Sequence, residues 1–350
     1  MSGQNQPSFQ QQMGELAELI VTKQYDLQPE LWKPYGHPGR EKSVRDTGYH
    51  LSYLAEALLA NDPVLFCEYL AWVKVLFAGL KFPEHILPKT LDCTHQVLAE
   101  KLSGEDRART LEFLDLGIHS LSDAPLAIPP FIAGNTPLDE LARKYLEALL
   151  SGDRRRASSL ILDSVQEGVS IKSIYSQVFQ RSQRELGRLW QTNQISVAQE
   201  HFCTAATQMV MSQLYPYIFT GERKGQRMVA ACVGGELHEI GARMVADFFE
   251  MAGWDTHFLG ANMPTDGIIK TVAERQTDVL ALSATMTFHI GKVTDIIASL
   301  RASGASPRTR ILVGGYPFNL SPDLWMRVGA DGYAADADTA VLEAERMLLA

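Results

Sequence analysis

The sequence predicts two helical regions followed by an α/β domain built on a five-stranded parallel sheet. Apolar residues recur at helical spacing through residues 1–122 and again through residues 138–220. From residue 227 onward, short β-branched or apolar runs alternate with helical patterns, which is typical of a parallel sheet with helices on both faces. A stretch with four prolines, residues 123–137, is predicted to be the linker between the two helical regions.

The composition argues against several classes of protein, including DNA-binding, membrane and secreted proteins. The 350 residues carry a formal net charge of −9, from 32 basic and 41 acidic side chains, and no basic helix suits DNA. No apolar run is long enough to cross a membrane, and the polar N-terminus does not resemble a secretory signal. The four cysteines are scattered without a CxxC pair, which fits a reducing compartment and argues against a zinc site. We therefore expect a cytoplasmic protein that binds neither membranes nor DNA directly.

Each helical region has its own pattern. The first region, residues 1–122, is dense in aromatic side chains, most of which are expected to lie in its core. The second region, residues 138–220, contains four helical patterns separated by short breaks with glycine or serine. Such spacing predicts a four-helix bundle.

The C-terminal region, residues 221–350, places unusual residues after three of its predicted strands. In an open α/β sheet, ligands bind at the carboxyl ends of the strands, so these residues are expected to meet at one edge. His238 is a candidate metal ligand, and either Glu236 or Ser283 is expected to hold its other ring nitrogen. The glycines of this region are expected to leave room for a bulky group between the sheet and its helices: Gly241, Gly314 and Gly315.

Together these motifs resemble the cobalamin-binding fold. The motif E-x-H-x-x-G ends at Gly241, and 41 residues lie between it and the S-x-T motif that begins at Ser283. A further 28 residues lie between Thr285 and Gly314. The resemblance implies a Rossmann-like domain in which His238 is the lower axial ligand of cobalt, while the nucleotide tail of the cofactor passes Gly241. The cofactor-binding residues that it implies here are Glu236, Leu237, His238, Gly241, Ser283, Thr285, Gly314, Gly315 and Tyr316.

The bundle carries a second motif, W-x9-EH, formed by Trp190 and the pair Glu200-His201. Together with glutamate in place of aspartate in E-x-H-x-x-G, it resembles the CarH/LitR family of B12-dependent photoreceptors. The resemblance implies bound adenosylcobalamin, with Trp190 covering the adenosyl group, Glu200 contacting it and His201 beside them. Light would break the Co–C bond and change the domain packing or the oligomeric state, with a homodimer expected. Gln191 stands where well-known members carry a histidine, so a second histidine ligand is not expected there.

The N-terminal region lacks the DNA-binding domain of CarH-type repressors and resembles the helical domain of photocobilins instead. That resemblance implies a bilin, such as biliverdin, as a second chromophore, and a plain dimerisation domain is the alternative. The bilin-binding candidates are Arg45, Tyr49, His50, Tyr53, Tyr69 and Trp72.

Two other functions compete with the photoreceptor. One is a corrinoid carrier protein that passes methyl groups between partner methyltransferases, and the other is a B12-sensing regulator that acts through a downstream regulatory protein. Trp190 and Glu200 suit a bulky adenosyl cap and favour the photoreceptor. The sequence has no nucleophile motif and no P-loop, so the chain is predicted not to be an enzyme.

Overall fold

The computed structural model describes residues 9–219, 222–304 and 306–349. The chain forms two compact units, the first ending at Leu126 and the second beginning at Ala127. No helix within these described ranges is long and apolar enough to cross a membrane.

The first unit is helical. Its α-helices are α1 (Phe9–Leu27), α2 (Pro29–Trp32), α3 (Gly36–Ala60), α4 (Val64–Gly79), α5 (Ile86–Lys101) and α6 (Gly104–Ser120). Helix α1 packs against α3 and α5, and α6 packs against α4. The contact between α4 and α6 needs Gly117, because an added Cβ would lie 2.7 Å from Phe66 and 2.8 Å from Leu70.

A cluster of stacked rings fills part of this unit. His50 Nδ1 lies 2.6 Å from the Tyr69 hydroxyl, and Tyr53 stacks on Tyr69 with ring centroids 3.6 Å apart. Burial lowers the pKa of His50 to about 4. Three of the predicted bilin-binding residues therefore pack against one another as core. The other three are partly or largely exposed at the surface: Arg45, Tyr49 and Trp72.

The second unit begins with the predicted four-helix bundle, which the structure confirms. Its helical segments are α7 (Pro137–Leu150), α8 (Arg154–Gln166), α9 (Ile171–Ser173), a π-helical segment (Ile174–Phe179), α10 (Gln180–Gln191), α11 (Val197–Gln213) and α12 (Tyr215–Ile218). Reciprocal capping boxes start two of them, Thr136 with Asp139 and Ser196 with Gln199. The predicted third helix is continuous from α9 to α10, and its π-helical segment carries the buried Tyr175.

The predicted α/β region is also confirmed. Five parallel strands of the described chain form one sheet in the order β2-β1-β3-β4-β5. Its elements are β1 (Arg227–Cys232), α13 (Ile240–Met251), β2 (Asp255–Phe258), α14 (Thr265–Arg275), β3 (Val279–Ser283), α15 (Ile290–Ser303), β4 (Arg310–Gly314), α16 (Tyr316–Leu320), α17 (Leu324–Arg327), β5 (Gly332–Tyr333) and α18 (Ala337–Leu349). Cys232 pairs with Ser283, which pairs with Gly314. The three strand ends that carry the sequence motifs therefore lie side by side.

Polar contacts attach the bundle to helix α13. Gln208 Nε2 donates to Glu239 Oε1 at 2.7 Å, immediately before the helix begins. One turn further, the Arg243 guanidinium donates to the Tyr215 hydroxyl at 2.8 Å. The Tyr175 hydroxyl of the π-helical segment donates to Asp247 at 2.7 Å. The loop before α13 is thus fixed from the bundle side as well as from the sheet.

Candidate functional site

The site is centred on the loop between β1 and α13. Gly235 has a φ of +82°, and its backbone N–H donates to Asn262 Oδ1 at 2.6 Å. Asn262 in turn donates its own N–H to the Glu236 carbonyl at 2.9 Å. A left-handed glycine and an asparagine from the neighbouring segment thus direct the Glu236 side chain into the protein.

Glu236 is completely buried and accepts hydrogen bonds on both carboxylate oxygens. Oε1 accepts from the backbone N–H of His238 at 3.0 Å and from its ring Nδ1 at 2.5 Å. Oε2 accepts from the backbone N–H groups of Thr285 and Met286 at 2.8 and 3.0 Å, and lies 3.0 Å from His289 Nδ1. Burial alone would raise the pKa of Glu236, but the hydrogen bonds from the two imidazoles and the backbone hold it well below its usual value.

The geometry around His238 matches that of a metal-ligating histidine. Its Nδ1 is held by Glu236, and its side chain is 59% exposed, so Nε2 is the nitrogen left for a metal. The hydrogen bond to Glu236 raises the pKa of His238, against the opposing effect of burial. Among the described residues, no group of three or more His, Cys, Asp or Glu side chains could hold an ion. A single histidine backed by a carboxylate fits a metal that arrives with its own equatorial ligands, as cobalt does in a corrin.

The glycines of the site serve different purposes. A Cβ at Gly315, which has a φ of +113°, would lie 2.0 Å from the Ala284 carbonyl oxygen, and one at Gly314 would lie 3.2 Å from the Ala334 oxygen. The packing of the protein itself therefore explains both residues. Gly241 is different, because it is exposed, has no left-handed φ and would have no atom within 4 Å of an added Cβ. Nothing in the described structure therefore requires a glycine there, and the surface of α13 is open at this point.

Helix α11 and the end of α10 carry the site residues that were predicted in the bundle. Trp190 lies in the last turn of α10 and is partly buried, whereas Gln191 is buried. Glu200 accepts a hydrogen bond from Thr204 at 2.9 Å, and its charge contributes to the raised pKa of His238. The remaining predicted residues are exposed: His201, Leu237 (71% exposed) and Tyr316 (53% exposed).

Comparisons with known proteins identify both halves of the second unit. The B12 binding domain family matches residues 226–342, and a second B12 binding domain family matches residues 141–215. Dimethylamine corrinoid protein 3 of Methanosarcina mazei is 31% identical over 122 residues, which are 35% of this chain and 71% of that protein. The chain belongs to the corrinoid protein family. Its cofactor is therefore a corrinoid, as the sequence motifs predicted.

Other corrinoid proteins match over different spans. Dimethylamine corrinoid protein 2 of Methanosarcina acetivorans is 26% identical over 217 residues, 60% of this chain and 97% of that protein. Dimethylamine corrinoid protein 3 of the same organism is 33% identical over 129 residues, 37% of this chain and 59% of that protein. The structure of the Methanosarcina barkeri monomethylamine corrinoid protein has a TM-score of 0.52 at 21% identity, covering 60% of this chain and 98% of that one. This structural likeness shows a shared fold.

The predicted membership of the CarH/LitR photoreceptors is wrong, and with it the predicted light-sensing function. The relatives are corrinoid proteins named for methylamines, so the comparisons favour the alternative of a corrinoid carrier. Trp190 and Glu200 of the motif W-x9-EH lie inside residues 141–215, the span that the second B12 binding domain family matches.

Of the predictions about cofactors and partners, only the coarser part is borne out. The comparisons support a corrinoid but not adenosylcobalamin in particular, and they support neither biliverdin nor signalling through a regulatory protein. The bilin-binding residues named from the sequence stay a prediction. Among them, Tyr53 and Tyr69 stack directly on each other.

Three residues of the site were missed from the sequence. His289 contacts Glu236, and the pair of Gln208 and Glu239 joins the bundle to the start of α13. His289 lies six residues after Ser283, in the 3-10 turn Thr287–His289 that follows β3. Its position just beyond a strand end on the ligand edge of the sheet was the available indication.

Proposed function

We propose that this chain is a corrinoid carrier protein of a methyltransferase system, in which partner methyltransferases perform the catalysis. The observation that carries the proposal is the exposed His238, held through Nδ1 by the buried Glu236, within a chain whose relatives are named corrinoid proteins. This arrangement suits a cofactor that must stay bound while its opposite face meets partner proteins. A bound corrinoid supplies a cobalt atom that can take up a methyl group and release it to an acceptor.

The residues of the chain would each have a defined task. His238 would ligate cobalt through Nε2, and Glu236 would fix its tautomer and raise its basicity. Gly241 would leave room for the cofactor beside α13, which the open space around its Cβ position supports. The other proposed contacts come from the strand ends and from the bundle: Leu237, Ser283, Thr285, Gly314, Gly315, Tyr316, Trp190, Glu200 and His201.

The bundle would then cover the face of the corrin opposite His238. Its bounds, residues 138–220, are those predicted from the sequence. Its hydrogen bonds to α13 through Gln208 and Tyr175 would keep that cover in register with His238. The apolar side chains exposed at the start of α11, Val197 and Phe202, offer contact surface there for the cofactor or for a methyltransferase. For the first unit, we keep the proposal that it is a dimerisation domain.

Dark titrations with hydroxocobalamin, methylcobalamin and adenosylcobalamin test the proposal. A carrier should bind the methyl and hydroxo forms at least as tightly as the adenosyl form, with an absorption spectrum in which the cofactor's own base is displaced. His238→Ala should weaken binding by about tenfold or more, whereas His119→Ala, which removes an exposed histidine of α6, should not. Retention of adenosylcobalamin alone, or unchanged binding by His238→Ala, would contradict the proposal.

A further inference from the structure

The carboxylate behind His238 is held from two separate parts of the fold. On Oε1, both donors belong to His238 itself. On Oε2, the donors of the described residues come from the segment after β3, and His289 contributes its side chain. The position of Oε1, and with it the orientation of the His238 ring, therefore depends on what holds Oε2.

The side chain of His289 is buried and closely packed in this position. It is 4% exposed, lies at the end of the 3-10 turn that precedes α15, and packs edge-on against the Phe288 ring at 4.5 Å. A Cβ at Gly235 would lie 3.1 Å from His289 Nε2 and 2.9 Å from the Lys292 ammonium group. Lys292 also donates to the Gly234 carbonyl at 2.7 Å. The start of α15 and the loop that carries Glu236 are thus packed closely together.

A glutamate at this position has side-chain freedom that this support restricts. Its side chain has one more rotatable bond than aspartate, so a carboxylate held at one oxygen could turn and carry Oε1 away from the His238 ring. The two backbone N–H groups on Oε2 come from consecutive residues and approach from one segment. The imidazole of His289 adds a third contact to Oε2, from a ring that is itself buried, and so further restricts rotation of the carboxylate.

We propose that His289 is a positioning residue that, by holding Glu236 Oε2, directs Oε1 to His238 Nδ1 and so presents His238 Nε2 to the cobalt. This inference rests on the proposed function, because it assigns a purpose to a hydrogen bond behind the cobalt ligand. It describes a third member of the chain of contacts, His289–Glu236–His238, in which both histidines donate through Nδ1.

The first test uses the protein without cofactor. The 15N chemical shifts of histidine ring nitrogens report which nitrogen carries the proton, and they are measured at alkaline pH in the wild-type chain. Both His238 and His289 should carry the proton on Nδ1. If His289 carries it on Nε2 instead, it cannot donate to Glu236 and the proposal is overturned, whatever the variants do.

The second test compares three variants of the full chain. His289→Leu removes the donor at similar volume, and it should reduce the Nδ1-protonated fraction of His238 and weaken hydroxocobalamin binding about tenfold. His289→Asn keeps an N–H near the position of Nδ1, and it should restore both readouts to within about threefold of wild type. His50→Leu removes another buried histidine, from the first unit, and should change neither readout.

The outcomes separate the two proposals. A His289→Leu variant that is less stable but keeps the His238 tautomer and the wild-type affinity would show a merely structural role and overturn this inference. If His238→Ala itself binds hydroxocobalamin like wild type, the ligand assignment in the proposed function fails. The tautomers of the cofactor-free protein would still show whether the contact exists.

Discussion

Replacing Asp247 by asparagine should remove a pH dependence from the stability of the second unit. Asp247 lies on α13 under the bundle, where burial raises its pKa from 3.8 to about 6, although the Tyr175 hydrogen bond and the Arg243 charge act in the opposite direction. Below the unfolded pKa, both the folded and the unfolded chain hold this proton. Between pH 3.8 and about 6 only the folded chain does, so the stability that this group contributes is lost as the pH rises through that window.

The size of the effect follows from the shift. Each unit of pKa corresponds to about 1.4 kcal/mol, so the loss amounts to about 3 kcal/mol once the pH exceeds the folded pKa. Asparagine has the shape of the protonated acid, keeps an acceptor for Tyr175 and does not titrate. The free energy of unfolding of Asp247→Asn, relative to wild type, should therefore be higher at pH 7 than at pH 4 by about 2–3 kcal/mol.

Urea denaturation of the full chain at several pH values, followed by tryptophan fluorescence, measures this difference. Tyr175→Phe is the matched variant, because it keeps the acid and removes the hydrogen bond that stabilises the carboxylate. That variant should extend the pH-dependent window to higher pH. A difference between Asp247→Asn and wild type that is the same at pH 4 and pH 7 would refute the reasoning.

Three further predictions concern the loops and caps of the second unit. Gly241→Leu should leave the free energy of unfolding of the cofactor-free protein unchanged within about 1 kcal/mol, because no atom lies within 4 Å of the added Cβ. Titration with hydroxocobalamin should nevertheless show an affinity loss of about tenfold or more. An unchanged affinity would place the cofactor elsewhere. Gly315→Ala should destabilise the chain by about 3 kcal/mol in urea denaturation, because its Cβ would meet the Ala284 oxygen at 2.0 Å with a φ of +113°; a wild-type midpoint would contradict this. Ser196→Ala should cost about 1 kcal/mol by removing the cap of α11, which thermal unfolding measures against Ser176→Ala, a mid-helix serine outside any cap.

The elements whose apolar residues recur at a regular spacing were predictable from the sequence. The bundle and the parallel sheet follow from the spacing of apolar residues. The meeting of His238, Ser283 and Gly314 at one edge follows from the rule that parallel strands end together, and the observed register agrees. The partner of His238 Nδ1 was left open between Glu236 and Ser283, because the choice depends on the fold of a loop whose conformation requires Gly235 and Asn262.

The functional class was harder to read than the cofactor. Cobalamin binding is set by a histidine and glycines at fixed spacings, whereas the reaction depends on which group occupies the other face of the cobalt and on partner proteins. Trp190 and Glu200 lie in the span that a B12 binding domain family matches, and their spacing alone did not decide what the cofactor is used for. His289 escaped notice because a buried histidine after a strand looks the same in sequence whether it packs or positions a carboxylate.

Electron paramagnetic resonance of the cob(II)alamin-loaded chain tests the central claim, that His238 ligates the cobalt, most directly. An axial 14N ligand splits the high-field lines into three, whereas 15N splits them into two. In protein grown with 15N-histidine and loaded with unlabelled cofactor, the account predicts two-line splitting, and His238→Ala should lose it. Three-line splitting that persists in the labelled protein would mean that the cofactor's own base still binds cobalt, and it would contradict the account.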